Sequence, residues 1–205
     1  MERLVRAVAV VAAGLLCTLP VALPAQPASP ERRAEAAEFV RRLSDETFAI
    51  LRNRSLSRDE AKRRFRDLLR ANVAVDQVGM RLIRRHRAGL SPQQLAAYRA
   101  ALPDFIVNTY ADRLYDFADS RLVVVRQIPR GSQGDVDVVT RVSDPKGGKP
   151  IEAIWLVRPW PDGGWRILNL TVGGVNIALT QEADFDSYIR QHGFDALVDF
   201  MRRRG

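Results

Sequence analysis

The sequence predicts an α+β fold, with N-terminal helices packed on a curved antiparallel sheet and further helices at the C-terminus. Three observations lead to this class. Apolar residues recur at helical spacing from residue 31 to about residue 117. From Leu122 the period shortens to β-branched or alternating runs divided by glycine- and proline-rich turns. Helical spacing then returns after Glu182. Helices, then a meander, then helices again differ from the alternating strand–helix order of an α/β chain.

The elements follow in order. Met1 to Arg6 is basic, Ala7 to Leu19 is apolar and uncharged, and Ala22, Ala25 and Ala28 are small residues beyond it. This is the pattern of an export signal over residues 1–25, with cleavage after Ala25. The apolar run is shorter than the ~20 residues that span a bilayer. Residues 26–30 read as a loose, proline-rich tether, and residues 31–205 as one domain. Ser29-Pro30 is a cap followed by proline in the first helical turn. The helix from Glu31 to Asn53 sets Phe39, Val40, Leu43, Phe48, Ile50 and Leu51 on its apolar side. Ser57-Arg58-Asp59-Glu60 reads as a capping box opening a helix with Phe65, Leu68 and Leu69 inward. After a break at Asn72-Val73-Ala74, Val75, Val78, Leu82 and Ile83 resume the rhythm, and Gly89 is the expected stop. Ser91-Pro92-Gln93-Gln94 is a second capping box. It opens a long stripe of Leu95, Tyr98, Leu102, Phe105, Ile106, Tyr110, Leu114 and Phe117, which Pro103 kinks or divides. Strands follow at Leu122–Val125, Val136–Thr140, Ile151–Val157 and Trp165–Leu170. Gly173-Gly174 permits a sharp bend. Val175 to Leu179 is a last strand or a run into a helix. Glu182 to Gln191 is helical, Gly193 stops it, and Phe194 to Arg203 is a terminal helix.

Composition narrows the chemistry. The 205 residues include one Cys and two His, which leaves no disulfide framework and no cysteine- or histidine-rich metal centre. Cys17 lies within the export signal. There is no Gly-x-Ser-x-Gly elbow and no phosphate-cradling glycine loop. His86 falls in an arginine-rich helical run and reads as part of a solvated face. His192 precedes Gly193, where a cation suits a helix C-terminus. Asp135 and Asp137 share a strand face, read as solvated. Nothing here assembles a catalytic group, so an enzyme is not expected. The net charge of +8 falls to +7 without residues 1–25, and 29 of the 32 cationic side chains are Arg. No nucleic-acid-binding motif accompanies them, and an exported chain does not meet nucleic acid. The stripe from Tyr98 to Phe117 is larger than a small sheet needs. It is either ordinary core or one wall of a cavity for an apolar ligand.

The C-terminal third, Gly164-Trp165-Arg166-Ile167-Leu168-Asn169-Leu170-Thr171-Val172-Gly173-Gly174-Val175-Asn176-Ile177, resembles a family pattern. In that pattern a Gly-x-Trp-basic start leads through a strand containing Asp to acidic-Gly-Val-Ser-apolar. Phe65-Arg66-Asp67-Leu68-Leu69, Leu90-Ser91-Pro92-Gln93-Gln94 and Phe105-Ile106-Val107-Asn108-Thr109-Tyr110 match in order and spacing, as does Gly193-Phe194-Asp195-Ala196-Leu197. Over residues 31–203 the chain resembles the MlaC, or toluene-tolerance auxiliary, family of periplasmic phospholipid-binding proteins. It departs from the pattern at Asn169, Gly173-Gly174 and Asn176, where the family has Asp, an acidic residue before glycine, and Ser.

The resemblance implies a carrier that holds a phospholipid's acyl chains in an apolar pocket with the headgroup near solvent. It further implies partners: an outer-membrane lipoprotein complex, and an inner-membrane ABC transporter bearing a mammalian-cell-entry-type domain. Together they would maintain outer-membrane lipid asymmetry, without a cofactor. By motif it points to Tyr110, Ile151 and Val175 as pocket-lining. Periodicity adds Phe105, Leu114, Val78, Leu82, Trp155 and Ile177. Two alternatives stand beside it: a carrier of a hopanoid-type lipid, and an envelope interaction module without lipid.

Overall fold

The computed structural model describes residues 27–204, apart from the side chains of residues 112 and 113. The expected export signal and its expected cleavage point lie outside the described residues. Six α-helices and a five-stranded antiparallel sheet make up the fold: α1 (Pro30–Arg52), α2 (Arg58–Asn72), α3 (Val75–Leu82), α4 (Pro92–Leu114), β1 (Leu122–Arg130), β2 (Asp135–Val142), β3 (Ile151–Pro159), β4 (Trp165–Val172), β5 (Val175–Asn176), α5 (Ile177–His192) and α6 (Phe194–Arg204). The strands lie in sequence order, each paired only with its neighbours in the chain. The α+β class is as predicted.

Local signals set most boundaries. Ser29 caps α1 by accepting from the Arg32 amide, so the helix takes in Pro30, and Ala28 already packs on the sheet core. The tether expected over 26–30 is therefore shorter. At Ser91 both halves of the capping box form, at 3.0 and 3.2 Å. At Ser57 only one half forms. Its hydroxyl accepts from the Glu60 amide, while the Glu60 carboxylate turns to Arg63 and Arg64. Helix α4 continues through Pro103, which neither divides nor ends it. Burial of the helix on both sides of that residue outweighs the ~3 kcal/mol that an interior proline costs.

Two helix ends differ from expectation for electrostatic and capping reasons. Helix α3 ends at Leu82 instead of continuing to Gly89, and residues 87–89 form a separate 3-10 turn. Beyond Leu82, the side chains of Arg84, Arg85 and His86 reach across to α5. Arg84 Nε donates to Glu182 Oε1 at 2.5 Å, Arg85 NH1 to Asp186 Oδ2 at 3.1 Å, and His86 Nε2 lies 2.9 Å from Asp186 Oδ1. His86 is thus a partner of a buried carboxylate and not part of a solvated face. Helix α5 begins at Ile177, five residues before Glu182, because Asn176 Oδ1 accepts from the Leu179 amide. Gly173 and Gly174, at φ +56° and +82°, form the two-residue hairpin that turns β4 into β5.

Three apolar cores form. The first joins α1 to one face of the sheet through Phe39, Val40, Leu43, Val136, Val138, Val157 and Ile167. The second lies among α3, α4, α5 and α6 and includes Tyr98, Leu102, Phe105, Phe185, Leu197 and Met201. The third joins the ends of α1 and α2 to α4 through Ile50, Phe65, Val107 and Ala111. Strand β2 is buried on both faces from Asp135 to Thr140. Asp135 and Asp137 do share a face, as expected, but that face is not solvated. Arg158 grips Asp135 through two bonds of 2.6 and 2.7 Å, and Arg130 pairs with Asp137. Arginines on the flanking strands β1 and β3 cover these carboxylates, and the ion pairs compensate their desolvation.

Tyr98 fastens α3 to α4. Fully buried, its hydroxyl donates to the Gly79 carbonyl at 2.9 Å, and burial pushes its phenol pKa upward. Tyr98→Phe leaves that carbonyl unpaired, and urea unfolding should show a loss of about 1–3 kcal/mol. Asp186 is held below the ordinary carboxylate value of 3.8, first by the His86 hydrogen bond, then by the charges of Arg190 and Arg85. A depressed folded-state value stabilises the fold above pH 3.8, and that contribution disappears as pH falls through the lowered value. Asp186→Asn should therefore be less stable than the parent at pH 6. Melting curves of the two should converge as the pH drops below the carboxylate range.

Candidate apolar binding site

Alternation and register decide which sheet residues can meet. Val142 opposes Ile151, Val138 opposes Trp155, and Trp155 opposes Leu170, so these share the face that α1 covers. Ala153 opposes Val172 and Val172 opposes Val175, which extends the same face to the sheet's β5 edge. Toward that edge the packing thins. Ile151, Leu170 and Val172 are half-buried, and Val175 is 52% exposed. Ile177 follows directly, at the first position of α5. Tyr110 reaches the same helix, its hydroxyl donating to Gln181 Oε1 at 3.3 Å, one turn beyond Ile177. Leu114, one turn further along α4 from Tyr110, is 37% exposed, and Leu179 on α5 is 54% exposed.

The nine sequence-predicted residues therefore separate into two groups. Tyr110, Leu114, Ile151, Val175 and Ile177 are partly exposed and lie outside the three cores; Tyr110 meets the start of α5 through Gln181, and Ile151 stands beside Gly173 of the β4–β5 hairpin. Leu82 and Phe105 are buried in the four-helix core and Val78 packs against it. Trp155 packs against the α1–sheet core, and its indole N–H donates to Thr140 Oγ1 at 3.0 Å. The stripe on α4 is thus mostly ordinary core. On its last turns Tyr110 and Leu114 stay partly exposed, while Ala111 between them is buried in the third core.

Two clefts lie nearby, and neither includes Tyr110, Ile151 or Val175. One, of about 290 Å³, is lined by Phe105, Phe185, Tyr188 and Phe200 with Thr109, Gln181, Asp184, Leu197 and Arg204 at its walls. Thr109 Oγ1 is buried there without a partner, and the Arg204 guanidinium stands 5.1 Å from the Phe200 ring centroid. Gln181 belongs to this cleft and also accepts from Tyr110, so the cleft borders Tyr110. The other, of about 390 Å³, runs across the opposite face of the sheet and is mainly polar. Among the described residues no group of three or more His, Cys, Asp or Glu could hold a metal ion, and no helix is long and apolar enough to cross a membrane.

Sequence reasoning did not single out Gln181, Leu170 or Val172. The strand period could have found the last two, since they alternate with Asn169 and Thr171. Nothing in the sequence marks Gln181 as the partner of Tyr110.

Comparison with known proteins follows this geometry. The structure is similar to that of a phospholipid-binding protein from Ralstonia solanacearum, solved with a phospholipid bound at 1.53 Å resolution. The TM-score is 0.68 at 19% identity, over 83% of this chain and 96% of that one, a likeness of fold. The family model described as MlaC protein matches residues 41–203. The chain therefore belongs to the MlaC family.

Proposed function

We propose that this protein is a phospholipid carrier of the periplasm, a binding protein and not an enzyme. It would move lipid between an outer-membrane lipoprotein complex and an inner-membrane ABC transporter with a mammalian-cell-entry-type domain, and so maintain outer-membrane lipid asymmetry. One observation carries the reading. In a chain of the MlaC family, Val175 and Leu179 expose apolar side chains on either side of Ile177 at the junction of β5 and α5, the helix that Tyr110 of α4 reaches through Gln181. The phospholipid in the Ralstonia solanacearum relative supports it, as does the basic and then apolar pattern of residues 1–25, which reads as an export signal.

The physics of carriage is simple. Each methylene taken out of water contributes about 0.8 kcal/mol, so an acyl chain laid along aliphatic and aromatic side chains repays extraction from a bilayer. The region needs no polar group along its length. An unpaired carboxylate placed there would be desolvated by the chain and would oppose binding.

Mass spectrometry of lipid extracted from the purified protein tests this. A co-purifying diacyl phospholipid is the expected result; a polycyclic lipid would change the cargo and keep the carrier. Val175→Glu should abolish lipid retention while shifting stability by no more than about 0.5 kcal/mol, because the side chain is exposed in the lipid-free fold. Tyr110→Glu should also lose the lipid. Absence of lipid from the parent protein, or undiminished retention in both variants, contradicts the proposal.

A further inference from the structure

The sheet face opposite α1 carries a cleft of about 390 Å³ with an uncompensated positive charge at one end. Its residues are ordered by register: Arg130 opposes Asp135, Asp137 opposes Leu156, Leu156 opposes Asn169, Ile154 opposes Thr171, and Thr171 opposes Asn176. Arg81 of α3 completes the wall. At the β1–β2 end the charges cancel locally, since Arg130 pairs with Asp137 and Arg158 with Asp135. At the other end they do not. Arg81 has no carboxylate partner among the described residues.

The polar groups beside Arg81 are donors, and their orientation is fixed. Asn169 Oδ1 accepts from the Ala178 amide at 3.3 Å, and Asn176 Oδ1 accepts from the Leu179 amide at 2.9 Å. With each amide oxygen committed to a backbone N–H of α5, each side chain is left with its NH₂ to offer. The Thr171 hydroxyl lies in the same row. One guanidinium, two amide NH₂ groups and a hydroxyl, without a free carboxylate among them, form a receptor for an oxyanion.

We propose that Arg81, Asn169, Thr171 and Asn176 form an anion site for a phosphate group, carried either by a phospholipid headgroup or by free phosphate. The site is separate from the apolar region and does not require acyl-chain binding. Val175 and Asn176, consecutive on β5, place one side chain on each face.

Calorimetric titration of the purified protein with sn-glycero-3-phosphoglycerol, a headgroup diester without acyl chains, and separately with inorganic phosphate, tests the proposal. Tighter binding of the diester assigns the site to a headgroup; equal or tighter binding of inorganic phosphate assigns it to the free ion. Either result supports the site provided that Arg81→Gln and Asn169→Asp each weaken binding on the order of ten-fold or more, the loss expected for one charge-assisted bond. Arg81 is exposed and unpaired, and an aspartate at 169 can still accept from Ala178, so both variants should melt as the parent does. Failure of both probes to bind the parent at millimolar concentration, or binding unchanged in both variants, overturns it. Because the acyl chains supply most of a lipid's binding energy, both variants should still co-purify with lipid, which separates this test from that of carriage.

Discussion

Helix α4 serves two cores at once, and the rest of the molecule is arranged around that demand. Its first half gives Tyr98, Leu102 and Phe105 to the core shared with α3, α5 and α6, while Val107 and Ala111 turn to α1 and α2. A helix that is apolar on more than one side has to be surrounded. The surrounding is supplied by α3, fastened through the Tyr98–Gly79 bond, and by α5 and α6, packed through Phe185, Leu197 and Met201. Helix α1 is already committed along the sheet. Among the described residues none of the three cores takes in Tyr110, Leu114, Ile151 or Val175, which stay partly exposed.

The β4–β5 hairpin adds a second property. Its two glycines turn the chain in the fewest residues, so Val175 and Asn176 fall on opposite faces directly before α5. On one face the residues are aliphatic and uncovered. On the other, Asn169 and Asn176 cap the first turn of α5 and face the polar cleft with Arg81. One short structural unit thus starts a helix, ends a sheet and separates an apolar surface from a polar one. Two of the residues where this chain departs from its family pattern, Asn169 and Asn176, are the two caps.

Much of this order was legible in the sequence. Helical spacing, the caps at Ser29 and Ser91, the stop at Gly193 and the strand–turn alternation gave the order of the elements and most of their bounds, although β1 runs on from Val125 to Arg130, because each depends on interactions within a few residues. The start of α5 was missed although its cap at Asn176 is local, but most of what failed depends on distant partners. The end of α3 is settled by carboxylates on α5 nearly a hundred residues away, and the burial of Asp135 and Asp137 by arginines on adjacent strands. Pro103 stays helical because of what packs around it. For the site, periodicity reports that a residue faces something apolar, not whether that is core or pocket. Phe105, Leu82 and Val78 therefore read the same as Leu114. Tyr110, Ile151 and Val175 were singled out by motif resemblance instead, and Gln181, which ties Tyr110 to α5, had no local signal at all.

The central claim is that the uncovered surface between α4, the β4–β5 hairpin and α5 holds an acyl chain. A crystal structure of the protein loaded with a phospholipid brominated along its acyl chains tests it most directly, since bromine can be located by anomalous scattering. Bromine peaks beside Tyr110, Ile151 and Val175 are the predicted result. Peaks confined to the aromatic cleft of Phe185, Tyr188 and Phe200, or to the polar face of the sheet, would contradict the account.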